Sequence, residues 1–247
     1  MWRDGVTDPY IFPENYSNIY NTYAFHGYES CTNRSMIVFY KRHVANDSLN
    51  LRLLGLAHLK YVIACNRVIT TPNLRRLFSV DGATLYENVL CKPRAYFAYR
   101  SIICESDSAV ASNLMRPDFD GSEALYTGKD APLDLKTFIE GKNSIRFERS
   151  ENEEVIINAQ TDSKGVFILT DTYYTGWKCY VNGKETPIHR VNYCMRGIIL
   201  DSGTSSIVFR FEPDIFKAGA SISTISVLLC FAAMMFLKRK KTEELKS

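Results

Sequence analysis

From Lys142 onward, polar and apolar positions alternate in short runs divided by turn residues. The period of two predicts strands at Ser144–Arg149, Glu154–Ala159, Gly165–Thr172, Trp177–Val181, Glu185–His189, Arg196–Leu200 and Ser205–Phe211. Asn182-Gly183 is the strongest hairpin signal, because both residue types tolerate positive φ. Asp201-Ser202-Gly203 marks a second tight turn. Short strands at this spacing predict an antiparallel β-sandwich.

The earlier half reads differently. Residues 1 to about 30 are rich in Tyr, Asn and Pro and suggest an irregular packed region; Ser30 to His43 fits a short helix. Leu49–Leu56 is apolar, and Leu59–Ala64 reads as a buried strand. Thr84–Asn88 and Arg94–Ser101 read as two more strands about a turn at Lys92-Pro93. Asp107–Met115 fits a helix capped by Asp107 or Ser108. The expected class is α+β, with a mixed α/β region over 1–135 and a sandwich over 136–213. The border is placed by a linker or short helix at Leu133–Glu140.

Ala218–Leu237 carries no charge. At about 1.5 Å rise per residue such a run reaches across a hydrocarbon core of about 30 Å. A transmembrane helix is therefore expected at 216–237, followed by a basic tail at 238–247. Lys238, Arg239, Lys240 and Lys241 are the kind of cluster that stays in the cytoplasm, which places residues 1–214 outside the cell. Met1-Trp2-Arg3-Asp4-Gly5 has no apolar run of the signal-peptide type, so membrane segments upstream of this chain are expected.

Charge adds a negative statement. The chain holds 30 Lys+Arg and 27 Asp+Glu, and the tail from Lys238 takes five basic and two acidic residues, leaving 25 of each elsewhere. A neutral body does not offer the positive field that nucleic acid requires. The seven cysteines form no C-x-x-C pair, which argues against zinc. Cys179 and Cys194 flank one predicted hairpin and are placed to face each other, although small buried apolar cysteines are the preferred reading. No nucleophile elbow, metalloprotease helix, P-loop or dinucleotide fingerprint is present, so no catalytic residue, metal or cofactor is expected.

Thr170-Asp171-Thr172-Tyr173-Tyr174-Thr175-Gly176-Trp177-Lys178, then Tyr180-Val181-Asn182-Gly183-Lys184, then Asn192 and Gly203 to Pro213, resemble the signature of the bacterial YfhO membrane-protein family. Thr175 stands where the family usually has Pro, and Asn182 where it usually has Asp. His26-Gly27-Tyr28-Glu29-Ser30, Leu53-Leu54-Gly55 with Lys60-Tyr61, Tyr86-Glu87-Asn88 with Pro93-Arg94-Ala95-Tyr96, and Arg116-Pro117-Asp118-Phe119-Asp120 are similar to that family in the same order. The resemblance implies a multi-pass protein similar to GT-C glycosyltransferases, which use polyprenyl-phosphate sugars outside the cell. It implies that the catalytic acid lies in an early loop that this chain does not hold. The chain would then be the C-terminal exported domain and anchor, with the lipid bilayer, an envelope glycan or a polyprenyl-phosphate sugar as partners. The alternative is a stand-alone anchored surface module that binds glycan or protein.

Tyr174, Trp177 and Arg94 are the candidate ligand residues. Aromatic faces stack on sugar rings, but in a sandwich they also build core, and Trp and Tyr favour membrane interfaces as well. Tyr174, nearer the turn, is the better ligand candidate. Arg94 fits a phosphate or carboxylate, or a pin between the two exported halves. Asp118-Phe119-Asp120 has the spacing of a metal pair, but a polar turn closed by Gly121 is the expected reading.

Overall fold

Alternation builds the C-terminal half into strands close to the predicted places, except that the strand expected at Glu185–His189 divides into Lys184–Thr186 and His189–Val191, which join different sheets. The computed structural model describes residues 50–65, 68–128, 131 and 138–244. The readings for residues 1–30 and Ser30–His43, and most of the 133–140 linker, lie outside those residues. In chain order the elements are α1 (Leu51–Leu56), β1 (Tyr61–Cys65), β2 (Leu74–Val80), β3 (Ala83–Asn88), β4 (Ala95–Ala98), β5 (Arg100–Cys104), α2 (Asp107–Leu114), β6 (Glu123–Thr127), β7 (Asn143–Ser150), β8 (Glu154–Thr161), β9 (Gly165–Thr172), β10 (Trp177–Val181), β11 (Lys184–Thr186), β12 (His189–Val191), β13 (Met195–Leu200), β14 (Gly203–Phe211) and α3 (Asp214–Glu244). The class is α+β, dominated by antiparallel sheet.

Two sheets form the sandwich. One has the order β11-β10-β14-β8-β7 and the other β12-β13-β9-β4. Between them lie Val155, Ile157, Ile207 and Phe209 from the first and Phe97, Phe167, Leu169 and Ile198 from the second. Period-two geometry sends the alternate residues Val166 and Ile168 to the opposite face of β9. There they pack with Val110 and Leu114 of α2 and with Leu125 of β6. The β12–β9–β4 sheet is thus buried on both faces, which explains the unbroken apolar run Val166–Leu169. The single strand expected at Arg94–Ser101 divides at Tyr99. Its first part, β4, pairs with β9, while β5 pairs in parallel with β6. The border expected near residue 136 is therefore crossed by the sandwich, which draws β4 from the region before it.

Local chemistry fixes the connections. Asn182 and Gly183 have φ of 50° and 80°, as the primed hairpin turn between β10 and β11 requires. The α2 cap is Ser106, whose side chain accepts from Ala109 N, one residue before the expected Asp107. Asn192 (φ 48°) is buried and joins the β12–β13 hairpin to β6. Its N donates to Leu125 O at 2.9 Å, its Oδ1 accepts from Leu125 N at 2.9 Å, and its Nδ2 donates to Tyr96 OH at 3.2 Å.

β14 passes through Glu212-Pro213 directly into α3, a helix of 31 residues. Among the described residues no helix is long and apolar enough to cross a membrane, so the span expected at 216–237 is not found. Ser221, Ser223, Thr224 and Ser226 dilute the apolar run in its first half. Among the described side chains of α3, the large apolar ones such as Ile222, Ile225, Leu228, Leu229, Phe231 and Met235 are exposed.

Candidate functional site

Strand ends of both sheets meet at the end of the sandwich from which α3 departs, among them the starts of β4, β10 and β13 and the ends of β7, β9 and β14. Arg94, just before β4, holds Asp171 of β9 in a two-pronged pair. Its Nε donates to Oδ1 at 2.9 Å and its Nη2 to Oδ2 at 2.8 Å. Its Nη1 donates to Ser150 Oγ at 2.5 Å, and its guanidinium lies 5.2 Å from the Phe147 ring centroid.

Asp171 also faces Arg196 of β13, whose Nη1 stands 3.9 Å from Oδ2. Arg196 is buried, donates from Nε to Thr172 O at 3.0 Å, and stacks 3.8 Å from the centroid of Trp177. Its Nη1 makes no hydrogen bond among the described residues. Burial brings the Arg196 pKa down to about 10, with Asp171 opposing that shift. The guanidinium therefore stays charged at neutral pH. Phe147, Arg94, Asp171, Arg196 and Trp177 form one alternating ladder that runs from the first sheet, through the second, and back to the first.

Outside this ladder lies an aromatic corner. Tyr174 is half exposed, and its ring is 6.4 Å from Phe211; the Trp177 ring is 5.6 Å from Phe211. Glu212 N donates to Gly176 O at 2.6 Å, tying this loop to the approach of α3. Lys178 Nζ lies 3.4 Å from Asp214 and 3.8 Å from Glu212.

The three sequence candidates thus come to the same end of the molecule but differ in what they offer. Arg94 is committed to Asp171 and Ser150 and acts as the pin. Trp177 has one face filled by Arg196. Tyr174 presents a half-exposed ring. Asp171 and Arg196 escaped the sequence reading. Arg94 and Asp171 are 77 residues apart in the chain, and Arg196 sits in an alternating strand where a charge reads as solvent-facing.

Other expectations resolve locally. Asp120 accepts from Ser122 N at 2.8 Å and Gly121 has φ 87°, so Asp118-Phe119-Asp120 is a turn, with Phe119 buried beneath it. No metal-ligand group of His, Cys, Asp or Glu occurs among the described residues. Cys179 and Cys194 do not face each other, because they lie in different cores on opposite sides of the β13–β9 layer. Burial pushes both thiols up to about 12.

A two-sheet module that runs into a long helix with exposed apolar side chains is the class defined by this geometry. Residues 124–223 match the sequence model described as bacterial membrane protein YfhO. Over 80 residues the chain is 35% identical to the uncharacterized protein YfhO of Bacillus subtilis (strain 168). That stretch covers 32% of this chain and only 9% of the relative. No solved structure matches the chain significantly. Residues 124–223 are thus similar to the YfhO family of bacterial membrane proteins.

Proposed function

We propose that this chain is the membrane-seated β-sandwich module of a YfhO-type protein, with α3 engaged in lipid and the sandwich on the extracytoplasmic side. One observation carries the reading. Along α3, Val227, Leu228, Leu229, Phe231 and Met234 are exposed at successive angles around the helix rather than on one stripe. A helix that is apolar all round needs an apolar medium, and the sandwich does not supply it. The resemblance to proteins that use polyprenyl-phosphate sugars outside the cell supports the outward placement of the sandwich.

For the whole protein, the resemblance to GT-C enzymes supports transfer of a sugar from a polyprenyl phosphate to a cell-envelope polymer. In that reaction the present module is an accessory part that braces the acceptor side, and the reacting groups belong to the rest of the protein. The Arg94–Asp171–Arg196 ladder suits bracing, since it ties the two sheets together at the end nearest α3.

The test is a Leu228→Lys/Leu229→Lys variant of the full chain, expressed in bacteria and followed by membrane fractionation. Each lysine costs about 3 kcal/mol at the centre of a lipid-embedded helix. The wild-type chain is expected in the membrane fraction, and the variant in the soluble one with its sandwich folded. Equal recovery of both in the membrane fraction refutes the role of α3.

A further inference from the structure

We infer that the Tyr174–Trp177–Phe211 corner is an interfacial anchor that seats in the headgroup layer of the bilayer and sets the orientation of the sandwich on it. The inference rests on α3 engaging lipid, and adds a second point of contact. Phe211 ends β14, and α3 starts at Asp214. The Gly176–Glu212 hydrogen bond holds the Tyr174 loop against that junction. Where the first turns of α3 enter the lipid surface, this corner lies beside the point of entry.

The chemistry of the corner suits the headgroup layer. Tyr and Trp present an apolar body and a polar edge, and they concentrate at this depth. Tyr174, 51% exposed, is the leading contact. The charges around it balance: Lys178, Arg94 and Arg196 stand against Asp171, Glu212 and Asp214. A balanced patch has no need of an anionic surface, so the partner is a zwitterionic headgroup layer and the drive is aromatic insertion. Arg196 stacked behind Trp177 gives the corner a rigid backing. The ring is held in place by a buried guanidinium rather than by a mobile loop.

Trp2 and Trp177 are the two tryptophans of the chain, so a Trp2→Phe variant makes Trp177 the sole reporter. The full chain is reconstituted into phosphatidylcholine vesicles whose acyl chains carry bromine either close to the headgroup or near the chain end. Bound protein is expected to show Trp177 emission quenched more strongly by the shallow bromine than by the deep one. Adding Tyr174→Ser is expected to weaken the quenching while the urea midpoint stays unchanged. Bound protein whose Trp177 is unaffected by either bromine overturns the anchor and leaves the α3 reading intact. A Trp177 response to a soluble oligosaccharide in place of a bromine response also overturns it and assigns the corner to glycan. Protein that does not bind the vesicles at all overturns the α3 reading itself.

Discussion

Asp171→Ala is expected to destabilise the sandwich by about 3–5 kcal/mol, the usual cost of removing one partner from a buried ionic group. The reason lies less in the lost attraction than in what stays behind. Arg94 keeps Ser150 and a side chain that is 19% exposed, so water can take over much of its solvation. Arg196, at 6%, has no such outlet. It would keep a full charge against Trp177 with only the Thr172 carbonyl as a hydrogen-bond acceptor. Urea unfolding of the variant would show the loss as a lower midpoint. Asp171→Ala/Arg196→Met should recover a large part of it, because a buried ion pair replaced by apolar groups of similar volume is often close to neutral. A single variant as stable as the wild type would mean that the ladder does not hold the sheets.

Gly55→Ala is the second large effect, expected to destabilise by about 3 kcal/mol through steric conflict with backbone. A Cβ at this position would stand 2.4 Å from Leu90 O and 2.8 Å from Leu90 C. Neither atom belongs to a side chain that could swing away. The same residue's carbonyl accepts from Lys92 N at 3.0 Å, so α1 and the Leu90–Lys92 turn are fastened where they touch. Alanine is the better helix former by about 1 kcal/mol, which works in the opposite direction but is the smaller term. Thermal unfolding decides the sign. A higher midpoint for the alanine variant would mean that propensity wins and that the helix does not sit on the turn as described. Gly55 falls within Leu53-Leu54-Gly55, one of the segments that resembles the family, and close backbone approach is its physical reason.

The legible parts of the fold were those with local causes. Alternation located β7 to β10 and the last two strands, and the demand for positive φ located the turn at Asn182-Gly183. What stayed hidden depended on distant partners. Arg75 and Arg76 spoil the alternation of β2, which also carries a bulge between Arg76 and Phe78. β6 is a five-residue strand whose parallel partner β5 lies across α2, and parallel pairing leaves no turn signal. The course of β4 into the second sheet depends on the strand it joins, Gly165–Thr172, which follows some seventy residues later and erases the expected border.

The site was legible to a similar degree. Tyr174, Trp177 and Arg94 were recognisable as residue types that bind ligands, and they do gather at one end. The geometry that decides their use was not local. Asp171 neutralises Arg94 as a ligand group, and Arg196 covers one face of Trp177. Only Tyr174 keeps the freedom that the sequence suggested.

Amide hydrogen exchange of the full chain in phosphatidylcholine bilayers tests the central claim most directly, read on residues 222–235 of α3. Engagement with lipid predicts that these amides, on a helix with no sandwich packed over its apolar side chains, exchange as slowly as the central strands β8 and β9. Exchange at the rate of an exposed, fraying helix, with the sandwich strands still protected and the bilayer present, would contradict it.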